Sequence, residues 1–490
     1  MVDEPVTIEV ISDDVLLRIF SLCNPLGYVN KFMPPVTWRW HRLAHVCRRW
    51  RCLILASPRF LGLILVTGLK RCVTTLDCWP ALPIAIWRDT SNPLSLEDED
   101  DVLAGLEHSD RIYEISLPIS DSMLAKSATL AWSFPELERL DIGSPLGQIT
   151  VLPQKFLGGS TPTSHKLRHI TLKKICLPTL PQLLFSSRDL VFLSLGPDVF
   201  TGEGFIPSDT LASSLSATTR LEFLYITFYP RSDIFKPKQR STYTGSLRPN
   251  LIALPALVDI DFEGPNEYLE DLVSRIHAPL LHHIGVRVSQ EGVQSLDISQ
   301  LSQFLSRTEL LRSLPLQTSI GIGDRGFTIC HQFGPPPPSW GIISLEVFCD
   351  HEFWDVSGVV HFSRQLSPLI SSVERVIIQA DAIPPTLQDE SVTVRWLKLF
   401  SPFNSAQEVY IYKVERSYDG IASALQNSTE IGQEVFPALH TLELCGFGTK
   451  APRGIESFVD ERRLAGRTIA VHCSTIYYEE PVGDDVTNDG

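Results

Sequence analysis

From residue 110 onward one short arrangement of apolar and polar positions recurs: apolar, two others, apolar, one other, apolar. It reads IYEISL at 112–117, LERLDI at 137–142, LRHITL at 167–172, LVFLSL at 190–195, LEFLYI at 221–226 and LVDIDF at 257–262. LHHIGV (281–286), VERVII (373–378) and LHTLEL (439–444) continue it, and AQEVYI (406–411) and ISLEVF (343–348) are weaker copies. The alternation within each copy predicts a strand with one face buried. The first copies are spaced by 25, 30, 23, 31, 36 and 24 residues, room for a strand, a turn and a helix. Helical periodicity occupies several gaps, as in EYLEDLVSRIHAP (267–279), DISQLSQFLSR (297–307) and GVVHFSRQLSPLI (358–370). Self-similarity near this period predicts stacked units, each leaning its apolar residues on the next.

The N-terminal pattern differs. ISDDVLLRIFSLC (11–23) predicts a helix that Ser12 caps, with Asp13 and Asp14 in its first turn and an apolar stripe of Val15, Leu16, Ile19 and Phe20. A Pro/Gly-containing insert follows at 24–40, and a second helical pattern covers 38–56. On a 100° wheel Leu43, Val46, Cys47, Trp50, Leu53 and Ile54 share one sector, whereas Arg48, Arg49 and Arg51 fall outside it as a solvated rim. Pro58 stops the helix. Two short helices with such wide apolar faces must be covered by the rest of the chain or by another protein. A further helix is predicted within 87–110, with the acids at 97–101 in its first turn and Val102, Leu103 and Leu106 on its apolar side.

ISDDVLLRIFSLC followed by LAHVCRRWRCLILASPRF (43–60) resembles an F-box, in the form with an insert between its first and second helices that is common among fungal F-box-like proteins. Ser12 stands where that family usually has proline, and the insert is longer than in the standard motif. The later repeats resemble an irregular leucine-rich repeat, without the asparagine that usually follows each strand. The resemblance implies an α/β chain: a small all-α F-box, then a curved leucine-rich-repeat-like solenoid with parallel strands inside and helices outside. The expected layout is a tail at 1–10, the F-box-like module at 11–65, a connecting or capping segment at 66–110, the repeat domain at 111–475 and an acidic tail at 476–490. The family's function implies a substrate receptor of an SCF-type cullin–RING ubiquitin ligase, which docks on a Skp-type adaptor and through it a cullin, and holds an unknown protein substrate. The same architecture could instead serve as a scaffold without ligase work. By motif match, Ile11, Val15, Leu16, Ile19, Phe20, Leu43, Val46, Trp50, Leu53 and Pro58 would form or support the adaptor-facing surface.

Composition narrows the alternatives. The chain has 490 residues and a formal net charge of −15, which argues against bulk attraction to nucleic acid despite the arginines at 42–51 and HKLRHITLKK (165–174). Its ten cysteines include no CxxC pair, so zinc clusters and thioredoxin chemistry lack support. MVDEPVTIEV is unlike a signal peptide, and LGLILV (61–66) is far too short to span a membrane, so a cytoplasmic or nuclear protein is expected. GIGDRG (321–326) satisfies GxGxxG by letter, but FTICHQFG and four prolines follow where a helix is needed, which predicts a turn between strands. CDHEFWD (349–355) lacks the second histidine of HExxH. No catalytic residue, metal site or cofactor is expected. If the strands line a concave face, their outward positions nominate His169, Thr171, Lys173, Phe192, Phe223, Tyr225, Arg287, Arg375, Tyr410 and Tyr412 for substrate contact, Phe223 and Tyr225 foremost.

Overall fold

The computed structural model describes residues 11–23, 43, 45–56, 63–66, 83–88, 90, 94–126, 133–144, 150–153, 156–158, 166–196, 206–228, 251–290, 297–308, 316–323, 326–333, 341–349, 364–366, 371, 373–380, 391–412, 418–427, 435–447 and 450–474. Pro58, the whole 24–40 insert, the four prolines at 335–338, residues 350–355 of CDHEFWD and the acidic tail lie outside them. The chain is α/β and divides into two compact units, Met1–Ile206 and Pro207–Gly490.

The first unit opens with α1 (Asp13–Cys23) and α2 (Arg48–Ala56). Its sheet is built from β1 (Leu63–Val66), β2 (Ile84–Trp87), β3 (Ile112–Pro118), β4 (Arg139–Gly143), β6 (His169–Lys173) and β8 (Phe192–Leu195), side by side in that order and all parallel. β5 (Thr150–Val151) and β7 (Ile175–Cys176) form a separate two-stranded ribbon. Helices α3 (Leu96–Leu106), α4 (Asp121–Lys126) and α5 (Leu180–Ser186) occupy the connections. The sheet thus starts at Leu63, inside what the sequence assigns to the F-box-like module and its connector. The acidic run at 97–101 is not wholly a solvated helix start. Glu99 is buried and accepts the Ser120 and Ser122 hydroxyls at 2.6 Å each, with Lys126 Nζ at 3.2 Å.

The second unit orders its strands as β9 (Phe223–Thr227), β11 (Asp259–Gly264), β13 (His283–Gln290), β16 (Gly341–Cys349), β15 (Gly326–Phe333), β14 (Leu316–Gly323), β17 (Arg375–Ala380), β18 (Glu408–Tyr412), β19 (Thr441–Cys445) and β20 (Ala470–Ser474). β10 (Ile252–Ala253) and β12 (Ile276–His277) pair separately. Helices α6 (Ser208–Leu215), α7 (Asn266–Arg275), α8 (Ser299–Arg307), α9 (Ser391–Phe400), α10 (Tyr418–Asn427) and α11 (Arg453–Leu464) accompany them. One expectation fails locally: β14–β15 and β15–β16 pair antiparallel, not parallel. Two residues separate β14 from β15 and seven separate β15 from β16, too few for the crossover that parallel neighbours require. GIGDRG is accordingly the turn region of a hairpin, with Gly323 paired to Gly326.

A local device repeats at strand entrances. The first leucine of the sequence pattern lies two residues before the strand, is buried, and closes a short turn by donating its N–H three residues back. Leu137, Leu190, Leu221, Leu257, Leu281 and Leu439 all do this. At several entrances the carbonyl of the residue just before the strand accepts two successive N–H groups from the following strand's entrance. Glu138 accepts from Arg168 and His169, Arg168 from Val191 and Phe192, Val258 from His282 and His283, and Gln407 from His440 and Thr441. Strands therefore start level with their neighbours, and alternate residues fall into rows across the sheet. Ile170, Leu172, Leu193, Leu195, Ile284, Val409, Ile411, Leu442 and Leu444 fill the buried rows.

Helices in the second unit are stitched by side chains as well. Asn266 Nδ2 donates to the Asp297 carbonyl, and the Glu270 carboxylate accepts the Gln300 and Leu301 N–H groups at 2.8 and 2.9 Å, capping α8 from α7. Burial raises the Glu270 pKa from 4.5 to about 7, against the lowering pull of those two N–H groups. The protonated form is thus favoured in the fold. Its contribution is fully present below pH 4.5 and is lost as pH rises through about 7. Urea unfolding followed by circular dichroism should show a midpoint that declines across this window, and Glu270→Gln should flatten the decline. Packing at the end of β11 gives a second test. A Cβ on Gly264 would lie 2.3 Å from the Phe228 ring, which packs with Phe262 and Tyr268. Gly264→Ala should cost about 1–3 kcal/mol in the same assay.

Candidate protein-docking surfaces

Helix α1 begins as its sequence dictates. Ser12 Oγ accepts the Val15 N–H at 3.4 Å, and Asp13 and Asp14 occupy the first turn. Leu16 and Phe20, four residues apart, are 1% exposed, and with Ile54 they form a small core. Ile11, Leu17, Leu43, Trp50 and Leu53 pack against it, and the Phe20 and Trp50 rings meet edge to face with centroids 4.7 Å apart. Val15 and Ile19, one position back around the helix, remain 50% and 37% exposed.

The second helical pattern is shorter than expected. Residues 45 and 46 form a turn, and α2 starts at Arg48 with the Cys47 Sγ accepting the Trp50 N–H at 3.4 Å. The single wheel drawn from Leu43 to Ile54 therefore breaks at its middle. Val46 leaves the apolar sector and is 60% exposed, and Cys47 is exposed as well. The arginine rim also needs correction. Arg48 and Arg51 face solvent, but Arg49 reaches α1, where its Nη2 donates to the Ile11 carbonyl at 2.5 Å and to Asp13 Oδ1 at 2.6 Å, with Nε on the same oxygen at 2.9 Å. Arg49 pins the start of α1 to α2. Of the ten residues nominated here, Leu16 and Phe20 are core, Ile11, Leu43, Trp50 and Leu53 support it, Val15, Ile19 and Val46 are open to a partner, and Pro58 lies outside the described residues.

On the sheet of the first unit, the row opposite the core runs Glu114, Arg139, His169, Phe192. Glu114 is 4% exposed, and burial raises its pKa although Arg139 Nη1 stands 3.6 Å away. His169 is half-buried against Phe192, ring centroids 5.8 Å apart; burial, then Arg139 and Arg168, lower its pKa to about 4, so the ring is neutral at physiological pH. Lys173 is exposed but engaged, 3.2 Å from Thr90 Oγ1 and 3.6 Å from Asp141. Thr171 is half-buried in the next row, between Asp141 and Ser194.

The corresponding rows of the second unit are Phe223–Asp259–His283, Tyr225–Asp261–Gly285 and Thr227–Glu263–Arg287. Phe223 is buried, at 9% exposure, and so cannot serve as the foremost contact. Three groups missed by the sequence reading, Asp259, His283 and Glu263, lie in these rows. Asp259 accepts the Tyr225 hydroxyl at 3.4 Å and meets His283 Nδ1 at 3.0 Å, a contact that raises the His283 pKa, while Glu263 pairs with Arg287 at 3.2 Å. Across β17–β20 the rows are Arg375–Glu408–Thr441 and Ile377–Tyr410–Glu443–His472. Arg375 Nε donates to Glu408 at 2.6 Å and its guanidinium lies 5.6 Å from the Tyr410 centroid; Tyr412 is half-buried two residues on. Asp259 and Asp261 sit at alternate positions of LVDIDF, Glu408 in AQEVYI and Glu443 in LHTLEL, so reading both polar slots of each copy would have found these four, while Glu263 lies one residue beyond its copy.

Compared with protein-family models and with curated proteins, the chain matches none. Among the described residues no helix is long and apolar enough to cross a membrane, and no three histidine, cysteine or acidic side chains are placed to share a metal ion.

In the full chain, Trp50→Ala should cost about 2–3 kcal/mol, somewhat less than a fully buried tryptophan. Val46→Asp, at an exposed turn, should leave helicity and the thermal unfolding midpoint within error of the parent.

Proposed function

We propose that this chain is a non-catalytic substrate receptor of an SCF-type cullin–RING ubiquitin ligase, acting in the cytoplasm or nucleus. An F-box-like helical module would dock on a Skp-type adaptor, and a leucine-rich-repeat-like solenoid would hold a protein substrate. The observation that carries this reading is the division of labour within α1 and α2. Leu16, Phe20, Ile54 and Trp50 make a core for two short helices, yet Val15, Ile19 and Val46 stay in solvent. Apolar side chains left exposed on a module this small fit a surface that another protein covers. The repeat reading draws support from the level strand entrances, with the same buried leucine turn in both units. An open row of polar and aromatic residues then faces away from the core, the arrangement an extended binding surface needs.

Triple replacement Val15→Asp, Ile19→Asp, Val46→Asp should abolish capture of a Skp-type adaptor and of the cullin, with the fold retained by circular dichroism. Adaptor capture by the folded triple variant as strong as by the parent would refute the docking surface. Recovery of adaptor without any cullin would instead favour a scaffold role.

A further inference from the structure

Helices α7 and α8 meet at one polar junction, and it holds a buried acceptor without a donor. Asn266 is 4% exposed, and its Nδ2 donates to the Asp297 carbonyl at 2.6 Å. A carbonyl can only accept, so this bond fixes which end of the amide points at Asp297. The other end, Oδ1, is buried and meets no donor among the described residues. An orphaned acceptor of this kind is costly and calls for an explanation. Glu270 stands four residues on, one turn along the same face of α7. Both side chains end on the stretch from Asp297 to Leu301, Asn266 on its first carbonyl and Glu270 on the Gln300 and Leu301 N–H groups. The other N–H groups of this entrance are taken as well. Ile298 donates to Gln365 Oε1 at 2.6 Å, and Ser299 donates to Asp297 Oδ1 at 3.0 Å. Backbone donors being spent, the hydrogen for Asn266 Oδ1 has to come from a side chain.

We infer that Glu270 is held as the neutral acid and donates its O–H to Asn266 Oδ1, which makes the α7–α8 junction a proton-linked latch. Each carboxyl oxygen offers two lone-pair directions. A proton on one oxygen uses one of them and leaves the other for its N–H, so both bonds that cap α8 persist. Ionisation releases the proton to solvent, orphans Asn266 Oδ1 and sets two acceptors against each other one turn apart. The surroundings favour the neutral acid. Burial disfavours the charge, Asp297 faces it from the approach to α8, and the two act together to place the transition at about pH 7. Ser208 of α6 and Arg275 of α7 are both engaged by Asp271. The segment 364–366 contributes the uncharged Gln365, and no cation acts on Glu270 among the described residues. The latch is therefore closed on the acid side of neutrality and opens as pH rises through about 7. This inference stands apart from the receptor reading.

The test is infrared spectroscopy of the full chain, titrated from about pH 5 to 9 and read as parent minus Glu270→Gln. One acid C=O band is expected, at the lowered frequency of a carboxyl that donates a hydrogen bond, disappearing with a midpoint of about 7. Asn266→Ala should raise that frequency and lower the midpoint by about one pH unit, since the neutral acid loses its acceptor. Asp297→Asn removes a charge and not the acceptor, so it should lower the midpoint and leave the frequency in place. Glu267→Gln, exposed on the same helix, should change neither. Hydrogen exchange of residues 298–307, corrected for the intrinsic rate, should quicken about fivefold across this range in the parent. It should stay slow in Glu270→Gln, whose amide donates to Asn266 at every pH. Absence of an acid band near neutrality, or a band at the frequency of a carboxyl that donates to nothing, overturns the inference. So does an Asn266→Ala protein with frequency and midpoint unchanged. The parent's band decides the matter even where Asn266→Ala does not fold.

Discussion

The entrance to each parallel strand is the constraint from which the rest follows. Ahead of six strands a buried leucine closes a turn two residues before the strand, and at several entrances the carbonyl just before the strand is shared by two N–H groups of the next strand's entrance. That bond pattern permits little stagger, so neighbouring strands start level. Level starts with a period of two place every core residue against a core residue and every open residue against an open one. Residues some 23 to 36 positions apart thereby become neighbours, as Arg139, His169 and Phe192 do. Slipping one strand by a single residue would turn buried leucines outward and break the shared carbonyl. Register, core and open face are one decision.

This is also why so much of the fold could be read from the sequence. Alternation around LxxLxL reports local burial, and each copy became a strand, six of them with the first leucine anchored in a turn just before it. Direction is not encoded that way. ISLEVF and GFTIC carry the same alternation in an antiparallel hairpin, and only the short connections distinguish them. Side-chain contacts between distant elements were less legible still. Nothing local marks Arg49 for its reach back to Asp13 and Ile11, and the helical wheel misled because a two-residue turn before Cys47 resets its phase. Phe223 failed differently: a strand's outward position is exposed only if nothing packs over it, and alternation says nothing about that.

Helix-side connections add a second layer of fixation with its own cost. Glu270 caps α8 and thereby leaves water, and burial outweighs the two N–H groups it receives. A carboxylate so placed joins helices geometrically while taxing the charged state, so its value to the fold lies in positioning α8 against α7. Arg462 does similar work at the far end. It is 4% exposed, lies against the Phe458 ring and donates to the Val435 carbonyl, holding α11 to the turn that leads into β19.

The open face is therefore not uniform. Over β3 and β4 the chain closes on itself: Thr90 packs on Gly143 and meets Lys173, and Glu114 and Ser116 are 4% exposed although they occupy outward positions. Burying Glu114 with Arg139 at 3.6 Å recovers part of its desolvation cost, and an ion pair of that length is a weak source of stability. Such residues are poorly placed to meet a partner, since removing Arg139 from Glu114 would leave a charge stranded in the sheet. Recognition is better served by polar groups that keep their water until a ligand arrives. On the described strands Glu443 of the second unit is such a group, half-exposed and level with a tyrosine whose hydroxyl is already held by Glu408. Elsewhere the open rows of both units spend their charges on one another, Glu114 on Arg139 in the first, Glu263 on Arg287 and Glu408 on Arg375 in the second.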